Sequence, residues 1–178
     1  MSIRYAILGL LSRQPLTGYD LKKLFAEVET FYWTGNNNQV YRTLVELHKA
    51  DLVTQEVHHQ EDAPARKVYT ITAAGQAALH DWLHTPPELP QVRNHFMLQL
   101  TWADQLDGAD LDTLLVRYEE ELRIKELMLR EQSSRGLSLP PQTERGQFLA
   151  ARITARWLDY YRHELAWVQD LRRELLHK

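Results

Sequence analysis

Residues 34–57, TGNNNQVYRTLVELHKADLVTQEV, hold the transition on which the fold turns. Thr34-Gly35-Asn36-Asn37-Asn38 is a run of turn and capping residues, after which Val40, Leu44 and Leu47 recur at helical spacing. The pattern predicts a helix from about Gln39 to Ala50. Val53, Gln55 and Val57 then switch to period two, the mark of a strand. Tyr69 and Ile71 repeat that period beyond the polar, proline-containing Gln60-Glu61-Asp62-Ala63-Pro64-Ala65, so two short strands joined by a hairpin tip are expected.

On the N-terminal side, Ile3, Ala6, Ile7, Leu10 and Leu11 form one face of a first helix, closed by Pro15. Thr17 and Asp20 resemble a capping box, with Asp where Glu or Gln is usual, and open a second helix near Gly18. On the C-terminal side, Thr72 caps a helix carrying Leu79, Trp82 and Leu83, and Thr85-Pro86-Pro87-Glu88-Leu89-Pro90 stops it. Three helices, a hairpin and a further helix are the order of a winged helix-turn-helix, whose third helix enters the major groove of DNA. The expected division is a DNA-binding domain over residues 1–84, a proline-rich linker over 85–91 and a second domain over 92–178.

The second half reads as helical throughout. A segment from about Val92 to Trp102 precedes a stripe of Leu111, Leu115, Tyr118, Leu122 and Leu129, then a break from Arg135 to Pro141 and a long final helix. In that helix Leu158, Tyr161, Leu165, Val168 and Leu175 form one seam, and Trp157, Tyr160, Trp167 and Leu171 a second beside it. A helix of some 30 residues spans about 45 Å at 1.5 Å per residue, longer than one small domain covers. The expectation is a dimer arm contacting its twin through Trp157, Leu158, Tyr161, Leu165, Val168, Leu171 and Leu175, with an internal hairpin absorbing only part of this surface. The fold class is mainly α with a small β-hairpin: an N-terminal winged helix-turn-helix plus a C-terminal helical dimerisation domain.

Composition narrows the function. Of 178 residues none is Cys, which excludes disulfides, thiolate nucleophiles and Cys-based zinc or iron–sulfur sites and fits a reducing cytoplasm. The N-terminal apolar run Tyr5 to Leu11 is far short of the roughly 20 residues that cross a bilayer, so no membrane partner is expected. His58-His59 would point to opposite faces of a strand, and His80 and His84 lack a third ligand, so no metal is expected. G-x-S-x-G, P-loop, G-x-G-x-x-G and H-E-x-x-H motifs are all missing, which argues against an enzyme and against a cofactor.

Charge does not advertise nucleic-acid binding, since the net charge is −3 and residues 1–84 carry 8 Lys and Arg against 9 Asp and Glu. Local residues have to supply it. Asn38, Gln39, Arg42, Thr43, Glu46 and Lys49 are read as the outward side of the third helix: Asn and Gln pair with adenine edges, Arg bridges guanine acceptors, and Thr meets a thymine methyl or a phosphate. An ordinary solvated face with an Arg42–Glu46 pair is the competing reading. Arg66 and Lys67 on the returning strand, and Lys22 on the second helix, are candidate phosphate contacts. Aromatic residues, among them those at 31–33, Phe96, Trp102, Trp157, Tyr160, Tyr161 and Trp167, suit either core packing or a planar ligand.

Ile3 to Leu11 followed by Pro15-Leu16-Thr17-Gly18-Tyr19-Asp20-Leu21 resembles the opening of PadR-family transcriptional regulators. Val40-Tyr41-Arg42-Thr43-Leu44-Val45-Glu46-Leu47 resembles that family's recognition helix, and Arg66 to Gly75 its returning strand and following helix start. Val92 to Trp102 with the long closing helix is similar to the subgroup with the larger, virulence-activator-like C-terminal region. The resemblance implies a homodimer bound to a double-stranded DNA operator, usually as a repressor, and released by a small, often phenolic or planar, effector. It places Asn38, Gln39, Tyr41 and Arg42 on the DNA-facing helix and Arg66 and Lys67 on the wing, although Glu61-Asp62 stand where basic or glycine-rich residues are common. An inducer site is expected between the domains. The rival is a protein-interaction module that keeps the winged helix without reading DNA, which the near-neutral charge of residues 1–84 favours.

Overall fold

A computed structural model of the chain describes residues 3–27, 37–60, 63–89, 94–136 and 141–175. The aromatic run at 31–33, the turn residues at 34–36, Glu61 and Asp62 fall outside these. The chain divides into two compact units, Met1–Pro87 and Glu88–Lys178, the division falling within the proline-rich stretch.

In the first unit α1 (Ile3–Leu11) leads into β1 (Leu16–Thr17), α2 (Gly18–Glu27), α3 (Asn37–Lys49), β2 (Val53–Gln60), β3 (Ala63–Ile71) and α4 (Ala73–Leu83). The capping box forms as read. The Thr17 amide donates to Asp20 Oδ2 at 3.0 Å and the Asp20 amide to Thr17 Oγ1 at 3.1 Å, so a one-carbon-shorter acid still closes the reciprocal pair. Thr72 caps α4 by accepting from the Gly75 amide at 3.0 Å. The apolar faces of the helices converge, and Ile7, Leu8, Leu21, Leu44, Leu47 and Val53 are fully enclosed. The rings of Tyr5 and Trp82 stack 4.7 Å apart and 7° from parallel, which fastens α4 to α1.

The sheet has three strands rather than the expected two. β1 lies antiparallel to β3, with Leu16 opposite Tyr69 and Thr17 opposite Val68, giving the order β1-β3-β2. Two residues are too few to show a period of two, so this strand leaves no sequence signal.

α3 stops through a left-handed turn. Asp51 has φ 55°, the Leu52 amide donates to the Leu47 carbonyl at 3.0 Å, and the Asp51 amide to that of His48 at 3.1 Å. The turn aims the chain into β2, and α4 then packs against it: Thr72 Oγ1 donates to the Asp51 carbonyl at 2.8 Å.

The second unit comprises α5 (His95–Thr101), a short 3₁₀ turn (Ala103–Gln105), α6 (Gly108–Arg135) and α7 (Glu144–Leu175). Asp107 caps α6 by accepting from the Asp110 amide at 2.8 Å, and Gly136, at φ 78°, ends it. α6 and α7 run antiparallel, since Asp112 and Glu119 pair with Arg172 near the end of α7 while Glu126 pairs with Arg162 further back. Phe96, Leu115, Leu122 and Val168 form the core of this unit, flanked by the partly buried Tyr161, Leu165 and Leu171. Part of the apolar stripe of α7 is therefore covered within the chain. Val168 is covered entirely within the chain, and Tyr161, Leu165 and Leu171 are covered in part, because α6 lies along their stripe.

A buried acid fixes the register of this hairpin. Glu119 accepts from Gln169 Nε2 at 2.8 Å, from Arg172 Nη1 at 2.8 Å and from Arg123, and Arg172 Nε reaches on to Asp112 Oδ1 at 2.9 Å. The Gln169 bond, opposed by burial and reinforced by the two arginines, lowers the Glu119 pKa.

Candidate nucleic-acid interface

The interface is built on α3, whose inward side is set by burial. Val40, Thr43, Leu44 and Leu47 fall at i, i+3, i+4 and i+7 and are all buried. This corrects the expectation for Thr43: at 6% exposed it faces the core and cannot reach a base. A threonine carries one methyl and one hydroxyl, so the type of side chain does not say on which side it lies.

The outward side holds Gln39, Tyr41, Arg42, Val45, Glu46 and Lys49. Arg42 projects from it, its side chain 82% exposed and its Nε donating to Glu46 Oε1 at 3.0 Å. An exposed i, i+4 pair is worth only about 0.3–0.5 kcal/mol, so Glu46 holds the guanidinium extended without committing it. Asn38 lies in the first turn of α3, and its side chain falls outside the description.

Tyr41 is half-exposed and sits over the start of α2. A β-carbon built on Gly18 would lie 2.6 Å from Tyr41 Cε1, so the glycine leaves the space that the ring fills. Behind it the Tyr69 hydroxyl donates to Gln55 Oε1 at 3.2 Å across the sheet. Lys22, on α2, is half-buried.

The wing is the β2–β3 ribbon. Arg66 stands opposite His58 and Lys67 opposite Val57, both basic residues are exposed, and the register shifts between His58 and Gln60. Neighbouring strand residues alternate sides, so Arg66 and Lys67 serve opposite faces of the ribbon. Glu56 adds a carboxylate 3.6 Å from His58 Nε2. Sequence reasoning did not place Val45, although a helical wheel centred on Val40, Leu44 and Leu47 carries it to the outside, where the structure shows it exposed.

The second unit carries an open cleft of about 620 Å³ lined by Phe96, Leu114, Tyr118 and Tyr160, with Arg117 and Glu121 among its polar residues. Phe96 and Tyr118 stack at 3.6 Å and 11°, giving the cleft a flat aromatic wall. The Tyr118 hydroxyl donates to Glu164 Oε2 at 3.3 Å, and burial first, then the charge of Glu164, push its pKa up to about 12. Among the described residues no group of three or more His, Asp or Glu could hold a metal, and no helix is long and apolar enough to cross a membrane.

Residues 7–81 match the PadR-like family of transcriptional regulators. The negative transcriptional regulator PadR of Bacillus subtilis is 30% identical over 130 residues, covering 72% of this chain and 70% of that protein. Its crystal structure in complex with operator DNA superposes with a TM-score of 0.83 at 25% identity, over 97% of this chain and 98% of that one. The Vibrio cholerae virulence activator AphA superposes with a TM-score of 0.74 at 28% identity, over 99% of both chains. With its winged-helix unit, its helical second unit and this relative spanning most of its length, the chain belongs to the PadR-like family of transcriptional regulators.

Proposed function

We propose that the protein binds operator DNA as a homodimer, α3 of each copy entering a major groove, and that it represses transcription until a small planar effector releases it. The observation that carries the DNA reading is the outward face of α3. Arg42 projects from it with Gln39 and Tyr41 on a helix whose opposite side is anchored in the core. An arginine presented in this way reaches the O6 and N7 acceptors of guanine with both arms, and its exposed bond to Glu46 is exchanged for them at little cost. Lys22, Lys67 and Arg66 supply phosphate contacts, and Asn38 joins the reading set at the N-terminal turn of α3. The operator complex of the B. subtilis relative supports this reading. Such a regulator acts on chromosomal DNA in the cytoplasm.

Dimerisation rests on the second unit. Leu98, Trp102, Leu127, Phe148, Trp167 and Leu175 are exposed there and offer apolar surface to a second copy. Trp157, Leu158, Tyr161, Leu165 and Leu171 are partly covered and contribute the remainder of their surface. The effector reading rests on the Phe96–Tyr118 wall: a planar aromatic ring stacks on it while Arg117 takes an anionic substituent. The B. subtilis PadR complex with p-coumaric acid accords with such a ligand. Effector binding then favours a separation of the two reading helices that no longer matches half-sites about 34–36 Å apart.

The test is fluorescence anisotropy with a duplex that the protein itself selects from a random pool. Wild type binds it tightly, Arg42→Ala loses at least tenfold, and p-coumarate releases wild type but not Arg117→Ala. Equal binding by wild type and Arg42→Ala contradicts the reading-helix assignment. Release of both wild type and Arg117→Ala contradicts the cleft.

A further inference from the structure

We infer that Val45 reads the 5-methyl group of a thymine in the major groove, and this rests on the assignment of α3 as the DNA-facing helix. The inward direction of α3 is fixed by Val40, Thr43, Leu44 and Leu47, all buried. At about 100° per residue the opposite direction falls between Arg42 and Val45, with Lys49 one turn beyond. Val45 thus stands at the outermost line of the helix and is 49% exposed, whereas Leu44 beside it is fully buried.

A valine has no local reason to be there. It is β-branched and forms helix less readily than the Lys, Gln or Glu that usually fill a solvent face, and about half of it remains in water. Its chemistry does fit a base edge. The thymine methyl is the one apolar group that the four bases present in the major groove. Arg42 and Lys49 flank Val45 three residues before and four after, and cations in those places can engage guanine or phosphate while the short branched side chain meets the groove floor. Branching at Cβ leaves one strongly preferred rotamer in a helix, so Val45 loses little conformational freedom on contact. Thr43, the other side chain on α3 with a methyl suited to this role, is turned into the core.

The experiment uses the full chain and its selected duplex, with each thymine replaced in turn by deoxyuridine so that only the methyl group is lost. Wild type weakens about fourfold at one thymine of each half-site, the worth of one methyl group withdrawn from contact. Val45→Ala binds the parent duplex more weakly, is insensitive to deoxyuridine at that position and keeps any sensitivity elsewhere, while Val45→Ile restores the effect. Because the side chain is exposed, both variants melt within a few degrees of wild type. If wild type and Val45→Ala respond alike to every replacement while both still discriminate the selected duplex, the inference falls and the DNA reading stands. If no duplex is selected from the pool, the DNA reading itself falls and takes the inference with it.

Discussion

Gly18 lies directly against the ring of Tyr41: a β-carbon there would approach Cε1 to 2.6 Å and Cδ1 to 3.1 Å. The first residue of α2 therefore sets how the most exposed aromatic of α3 is held. In Gly18→Ala the outer end of the ring has room to swing outward, so the cost in stability stays below about 1 kcal/mol. Operator affinity is expected to fall at least threefold, because a half-exposed ring on the proposed reading surface is displaced. Thermal melting and anisotropy on the same preparation separate the two effects.

Gly75 is the contrasting case. A β-carbon there would stand 2.1 Å from the carbonyl oxygen of Leu52, a backbone atom between α3 and β2 that already accepts from the Thr72 amide at 3.0 Å. No side chain can yield, so the turn itself must move. Gly75→Ala is expected to cost more than about 3 kcal/mol and to lower the melting temperature by more than about 10 °C. A melting temperature near that of wild type would show that α4 is not docked as described.

Asp51 occupies the left-handed position at the end of α3 with φ 55°, where most helices place glycine. Glycine accepts that conformation without the crowding of a β-carbon, and the Asp51 contact to Thr72 is made by the backbone carbonyl, which the substitution keeps. Asp51→Gly is accordingly expected to raise stability by roughly 0.5–1 kcal/mol, read as a rightward shift of the urea midpoint with an unchanged slope.

Glu119 ties α6 to α7, and its pKa in the fold lies below the ordinary 4.5. A lowered carboxylate pKa contributes stability that is fully present above the unfolded value and is lost as pH falls through the folded one. Glu119→Gln is expected to cost roughly 2 kcal/mol at pH 7, where the charge-assisted bonds from Arg172 and Arg123 are weakened. The gap from wild type narrows as pH falls below about 4.5, because the wild-type carboxyl is then protonated as well. Urea titrations at pH 7, 5 and 3.5 read this directly, and a gap that stays constant with pH would show that the charge on Glu119 is not what holds the helices.

Much of this architecture is written in short-range signals. Thr17 with Asp20, Thr72, and the prolines from 86 onward mark element boundaries through local hydrogen bonding and backbone restriction, so they are legible without tertiary information. β1 is not, because its two residues are extended only by virtue of Tyr69 and Val68 on β3. Thr43 lies inward and Val45 outward for a similar reason. Polarity argued for Thr43 facing outward and left Val45 unplaced, but the helix direction is set by Val40, Leu44 and Leu47 together, and that direction overrides the preference of each residue alone. Val168 shows the limit for long helices. An apolar stripe announces that something covers it, and whether the cover is α6 of the same chain or a second copy depends on packing that the stripe does not encode.

The central claim is that the outward side of α3 reads DNA through a cationic, sequence-selective contact. Anisotropy of the full chain against its selected duplex and a scrambled duplex of equal length, each at about 50 and 200 mM salt, tests it most directly. The account predicts tight binding to the selected duplex, at least a hundredfold discrimination at the higher salt, and a steep loss of affinity for both duplexes as salt rises. Equal, salt-insensitive binding to the two duplexes would contradict it and leave a winged helix that serves as a protein-interaction surface.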